Sequence, residues 1–238
     1  MNQFKIGTLN KISENGLQYF DRSKYQVSDN IENQDAFIVR SASLHDMQFG
    51  DNLKSIARAG AGVNNVPIEK CSKAGIVVFN TPGANANAVK ELVIAGLLLS
   101  SRKIHQGVNW TQAQKGKGDE VSALVEKNKS NFGGPEISGK TLGVIGLGAI
   151  GMLVANAAEA LGMRVVGFDP YISIESAWQL SKNVEKAQSL DQLLSESDYI
   201  SLHIPLLEET KGFIDAGKMN KMKKGASILN FARGGLVN

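Results

Sequence analysis

The residues best suited to chemistry in this 238-residue chain begin with three glycines at fixed spacing, Gly146-Leu147-Gly148-Ala149-Ile150-Gly151. Such a triplet alone arises often by chance, so its surroundings decide the reading. The apolar run 141–145 feeds directly into Gly146, and a helical pattern through Ile150, Leu153, Val154, Ala157, Ala158 and Leu161 follows, stopped by Gly162. Between a strand and a helix the glycines serve different ends. Gly146 permits a tight turn, Gly148 lets a pyrophosphate come close, and Gly151 allows close helix–strand contact. The helix start would then aim unpaired N–H groups and a positive dipole end at the anion. Eighteen residues after Gly151, Asp169 follows the strand-like run 164–168. A carboxylate there accepts hydrogen bonds from adenosine ribose hydroxyls and repels a 2′-phosphate, which favours NAD over NADP. The plainer alternative is a surface turn with Asp169 as a cap.

Arg233 follows the apolar run 226–230 and precedes Gly234 and Gly235. Ligands of open α/β sheets bind at the carboxyl ends of strands. A forked, permanently charged guanidinium placed there suits a carboxylate and polarises a neighbouring oxygen; a solvated arginine in a glycine turn is the alternative. His203 ends the run 199–203 and reads either as a proton-transfer group or as cofactor wall, with no carboxylate at a telling spacing. His45 and His105 lie in polar surroundings. The loop Arg58-Ala-Gly-Ala-Gly-Val-Asn-Asn65 could expose successive amides as an anion-binding nest, and Arg40-Ser41 ends a strand in the same manner; both also read as ordinary turns. The lysines at 218, 221, 223 and 224 read as a solvated face, and Cys71 as an idle packed thiol. No metal-ligand spacing is evident.

The elements needed to position these groups alternate along the chain. Strands are expected at 4–9, 36–39, 55–59, 76–79, 141–145, 164–168, 199–203 and 226–230, ended by turn residues. A long helix is expected at 87–102, with an inner face through Val89, Leu92, Val93, Gly96 and Leu97, and a second near 105–115. Residues 116–140, rich in Gly, Lys, Asn and Ser, read as a surface connection around a short helix at 120–126. This pattern predicts an α/β chain of two doubly wound parallel sheets, with a domain over 1–92 and another over 93–238.

Bulk composition sets the class. Hydrophobic residues make up 42% and charged residues 21%, which excludes wholesale disorder. A net charge of +3 with interspersed signs gives no basic stripe for nucleic acid. The most apolar stretch, 92–99, falls well short of the roughly 20 residues that cross a bilayer. A single cysteine fits a reducing cytoplasm.

Six segments together resemble the D-isomer-specific 2-hydroxyacid dehydrogenases: RAGAGVNNVP (58–67), VVFNTPGANANAVKEL (77–92), LGVIGLGAIG (142–151), FDPY (168–171), LHIPLLEET (202–210) and NFARGGLVN (230–238). They are most similar to members that oxidise 3-phospho-D-glycerate to 3-phosphooxypyruvate and open serine synthesis. The resemblance implies a flavodoxin-like substrate domain followed by a Rossmann NAD-binding domain, incomplete at its C-terminus. It implies that Arg233 is the catalytic arginine on the substrate carboxylate, and that Gly146, Gly148, Ala149, Ile150, Gly151 and Asp169 hold the dinucleotide. Ala61, His203, Ile204, Pro205, Phe231 and Ala232 are expected to touch it too. Gly62, Val63 and Asn64 are expected beside a small anionic 2-hydroxy or 2-oxo acid, with Arg40 and Arg58 supplying charge near its phosphate. A homodimer or higher homo-oligomer is implied. The family's Glu–His pair lies on segments beyond the arginine, so these 238 residues are expected to belong to a longer enzyme and to be inactive alone. A glyoxylate, hydroxypyruvate or D-lactate type of enzyme, and a non-catalytic NAD-sensing protein, are the alternatives.

Overall fold

The computed structural model describes residues 3–238, which form two compact units, one ending at Asn85 and the other covering Ala86–Asn238. The division falls ahead of the long helix through which the sequence pattern drew its boundary.

The first unit runs β1 (Phe4–Leu9), α1 (Glu14–Leu17), β2 (Tyr25–Ser28), β3 (Ala36–Val39), β4 (Ser55–Arg58), α2 (Ile68–Lys73) and β5 (Val77–Asn80). Its sheet has the order β2-β1-β3-β4-β5 with every pair parallel. That is the flavodoxin-like doubly wound order. Phe37, Val39, Leu44, Leu53, Ile56, Val66 and Ile76 close the core around Cys71. Burial pushes the Cys71 thiol pKa up, leaving it an inert packing group.

The second unit runs α3 (Ala86–Ser101), α4 (Ile104–Gln112), α5 (Glu120–Asn128), β6 (Thr141–Ile145), α6 (Ala149–Ala160), β7 (Arg164–Phe168), α7 (Ile174–Gln179), β8 (Glu185–Lys186), α8 (Leu190–Glu196), β9 (Tyr199–Leu202), α9 (Ala216–Met219) and β10 (Ser227–Leu229). The order β10-β9-β6-β7-β8, all parallel, places the reversal between β6 and β9. This is the dinucleotide-binding order through five strands, and the crevice outside the carboxyl ends of β6 and β9 is where such sheets take ligands. Every residue of β6 and of β9 is buried, as expected of central parallel strands.

Three expectations need correction. The inner face of α3 is Ala86, Val93, Leu97 and Ser101; Leu92 is 55% exposed, because the helix meets the sheet on one narrow stripe. In α6 the buried stripe is Gly151, Val154, Ala155 and Ala158 with Met152, while Leu161 is exposed beyond the helix end. Small residues dominate that stripe because α3 packs along α6. The strands β4, β9 and β10 end one residue early, at Arg58, Leu202 and Leu229, where the chain turns out of the sheet, and β10 also begins one residue late, at Ser227.

No residue of α4 or α5 is buried, and of residues 104–128 only Gln114 is, so this segment forms a largely exposed arm. Gly134 lies so close to the Ser101 carbonyl that a Cβ would sit 2.1 Å from it, so the arm's two ends meet at the foot of α3. Among the described residues no helix is long and apolar enough to cross a membrane.

Candidate dinucleotide site

The glycine loop shows a separate physical reason for each glycine. Gly146 has φ +89°, a left-handed conformation that side chains rarely adopt, and its Cβ would lie 2.7 Å from the His203 carbonyl. At Gly151 a Cβ would lie 1.9 Å from the Gly146 carbonyl, so only glycine lets α6 close down on the loop. At Gly148 a Cβ would meet nothing within 4 Å: the space before the helix is open. The amides of Gly146 and Leu147 are used internally, donating to the Phe168 carbonyl (3.0 Å) and to Asp169 Oδ2 (2.8 Å). Among the described residues those of Gly148, Ala149, Ile150 and Gly151 have no protein acceptor. Four free donors at the positive end of a 12-residue helix, facing open space, fit a diphosphate.

Asp169 stands at the end of β7, next to the loop. Its Oδ2 holds the Leu147 amide and its Oδ1 the Tyr171 amide, each at 2.8 Å. An ionised carboxylate offers about four acceptor positions, so two remain for ribose hydroxyls. The Leu147 side chain is seated on Gly167 of β7, where a Cβ would lie 2.8 Å from it. Loop and carboxylate are thus fixed to one another before any ligand arrives.

His203 follows β9, with its amide on the Ile145 carbonyl (2.8 Å). Its ring Nε2 lies 2.8 Å from the hydroxyl of Ser201, which is fully buried. Burial lowers the His203 pKa to about 4, so the ring is neutral at pH 7. Ile204 packs beside Gly146 and Pro205 is exposed. After β10, Phe231 lies against Gly96 of α3, and Ala232 joins the core around Ile200 and Leu202. Arg233 is exposed, its Nη1 donating to the Ala232 carbonyl at 2.8 Å. Asn230 shapes that turn: its Oδ1 accepts from the amides of Ala232 (3.2 Å) and Arg233 (3.3 Å), and its Nδ2 donates to the Arg233 carbonyl (2.8 Å).

The first unit has its own loops. Among the described residues the amides of Ala61, Gly62, Val63 and Asn64 donate to no protein acceptor, and Asn80 Nδ2 pins the Ala61 carbonyl at 2.8 Å. The turn after β3 differs from the expected nest: Asn10 Oδ1 already takes the amides of Ser41 (2.8 Å) and Ala42 (2.7 Å). What that turn still offers is the exposed Arg40 side chain. Arg58 ends β4, half-buried against Gly60. His45 bonds the Asn64 carbonyl (2.9 Å) and His105 bonds Asn109 (3.0 Å). Lys218, Lys221 and Lys223 pair with Asp215, Asp191 and Asp198, so most of the basic run is ordinary surface pairing.

Sequence reasoning overlooked Ser201, Asn230, Gly167 and Asn10. Three carried a signal, the first two being a polar residue inside the otherwise apolar run 199–203 and an asparagine ending a strand just before a turn. Gly167 in a strand marks close approach of another chain segment. Asn10 has φ +70°, which nothing in its neighbours announces.

Parallel order, glycine turn, free helix amides and strand-end carboxylate define a dinucleotide-binding α/β protein. Residues 94–238 match the family described as "D-isomer specific 2-hydroxyacid dehydrogenase, NAD binding domain", and the chain belongs to that family, with NAD as its cofactor. D-3-phosphoglycerate dehydrogenase of Archaeoglobus fulgidus is 36% identical, with 98% of this chain and 44% of that protein aligned. Hydroxypyruvate reductase of Thermotoga maritima is 40% identical over 86% of this chain and 62% of its own length. The chain therefore spans about half the length of the curated relatives it matches. Among solved structures, the NAD+-bound 3-phosphoglycerate dehydrogenase of Entamoeba histolytica is similar with a TM-score of 0.74 at 29% identity, covering 99% of this chain and 74% of that one.

Proposed function

We propose that the chain is the substrate- and NAD-binding part of a dehydrogenase that oxidises 3-phospho-D-glycerate to 3-phosphooxypyruvate. The similarity to D-3-phosphoglycerate dehydrogenases over nearly the whole chain carries this reading. Bound NAD+ supplies the hydride acceptor for the hydrogen leaving C2. The helix amides of Gly148, Ala149 and Ile150 hold the diphosphate and Asp169 the adenosine ribose. Arg233 grips the substrate carboxylate and polarises the C2 oxygen, while Asn230 sets its backbone. Phe231, Ala232, Ile204 and Pro205 line the cofactor. The amides of Gly62, Val63 and Asn64, with Arg40 and Arg58, are the first unit's groups suited to an anionic substrate.

The hydroxyl proton needs an acceptor. His203 is a poor one, being desolvated with Nε2 taken by Ser201, and His45 and His105 bond to Asn64 and Asn109. These residues alone are therefore expected to turn over at least about 10²–10⁴-fold more slowly than an enzyme with a general base. The relative named hydroxypyruvate reductase favours a second reading, reduction of an unphosphorylated 2-oxo acid. Rates with 3-phospho-D-glycerate, D-glycerate and glyoxylate on the full-length enzyme separate the two: preference for the phosphorylated acid supports the first, its absence the second. The arm also bears on assembly. Ile104 and Val108 are exposed on it, which supports a homo-oligomer with a second copy covering these residues. The reaction is assigned to the cytoplasm, where a lone thiol such as Cys71 stays reduced.

A further inference from the structure

Ser201 and His203 lie two apart at the end of β9, one fully buried and the other at the crevice. Among the described residues the Ser201 hydroxyl has one partner, His203 Nε2 at 2.8 Å. Either group can be the donor, but the two choices differ in outcome. If Nε2–H donates, the buried Ser201 O–H has nowhere to give its proton, a costly orphan. If Ser201 donates to the Nε2 lone pair, that orphan disappears and the ring proton must sit on Nδ1. Among the described residues His203 Nδ1 has no protein partner, and it is not one of the buried unpaired atoms, so solvent reaches it. His203 borders the glycine loop through its backbone and Cβ: its carbonyl closes on Gly146, and its Cβ lies 3.4 Å from where a Gly151 Cβ would stand.

We infer that Ser201 fixes His203 as the Nδ1–H tautomer, so that the open side of the ring presents a neutral hydrogen-bond donor to an acceptor oxygen of the bound dinucleotide. Ser201 is then a positioning residue, acting through His203. Neutrality at pH 7 follows from the desolvated ring, so the donor adds no charge beside the diphosphate. The inference rests on the dinucleotide reading of this crevice, and the experiment separates the two.

Long-range 1H–15N correlation on histidine-labelled protein reads the tautomer of each of the three histidines, with His203→Phe assigning the His203 signal. The wild type is expected to show Nδ1–H at His203, and Ser201→Ala to lose that pattern. NADH titration, followed by fluorescence, is expected to weaken about 3- to 10-fold in Ser201→Ala, the loss of one ordered hydrogen bond. In the His203→Phe background, Ser201→Ala should change NADH affinity no further. An Nε2–H tautomer in the wild type, or equal NADH affinity in Ser201→Ala and wild type, overturns the inference. A wild type with the Nδ1–H pattern that takes up no NADH overturns the dinucleotide reading, and the proposed acceptor goes with it. Should His203→Phe not fold, His45→Gln and His105→Gln, both at exposed positions, assign the His203 signal by elimination.

Discussion

Alanine at Gly148 and alanine at Gly151 should damage this protein in opposite ways, although the two positions are only three residues apart. At Gly151 the added methyl meets the Gly146 carbonyl at 1.9 Å, a backbone atom that cannot swing aside. The helix must slide off the loop by roughly an ångström, overpacking that costs about 2–3 kcal/mol. For a unit of this size the melting temperature should fall by about 4–12 °C. At Gly148 the methyl enters open space, and φ −70° suits any residue. Alanine is a poorer helix cap than glycine but loses less chain entropy, so the melting point should move less than about 2 °C. That same open space is where the proposed diphosphate would come closest. Displacing the anion from one charge-assisted amide contact costs about 1.5–3 kcal/mol, so the NADH Kd should rise about 10- to 150-fold. Thermal melts without ligand and fluorescence titration with NADH, on both variants, give the two numbers. A Gly148→Ala protein that binds NADH like the wild type, or a Gly151→Ala protein that melts like it, would rule out this division of labour.

Asp169→Ala should weaken NADH at least about 10-fold, by losing the ribose acceptor and freeing the Leu147 amide, and should narrow the preference over NADPH because the repelling charge is gone; parallel titrations with both cofactors check it. In the full-length enzyme Arg233→Ala should lower kcat/KM for the hydroxyacid by about 10²-fold while NADH affinity moves less than about 2-fold, and steady-state rates beside cofactor titration decide. His203 titrates near 4 folded against 6.5 unfolded, so its neutral form adds stability that is present above pH 6.5 and disappears as pH falls toward 4. That loss should reach about 3 kcal/mol at most. Urea unfolding from pH 7 to 4.5 should show it in the wild type, and His203→Phe should lack that share of the slope.

The nucleotide-binding half of the fold was readable because its signals agreed with one another. The run 141–145, the glycine spacing, the following helix and Asp169 are local features in register, and the structure joins them through Leu147 and Gly146. Elements without such agreement were missed. β2 is an edge strand of only four residues, YQVS, and β8 has two, so neither is long enough for a period-two pattern to stand out from its surroundings. Helices α7, α8 and α9 are one or two turns long; their signal lay in their caps, Ser173, Ser189 and Asp215, each accepting an amide three residues on. The helix faces of α3 and α6 were misjudged because hydrophobicity does not say which apolar residue remains uncovered, as Leu92 and Leu161 are. Ser201 and Asn10 matter through partners distant in character or in sequence, and only coordinates bring those together.

We propose that NAD rests on the free amides between β6 and α6 and on the carboxylate beside them. A crystal of the chain soaked with NAD+ tests this most directly. The diphosphate should sit on the amides of Gly148, Ala149 and Ile150, with both adenosine ribose hydroxyls on Asp169. Density for the dinucleotide elsewhere, or a loop that stays empty while calorimetry on the same protein detects no heat with NAD+ or NADH, would contradict it.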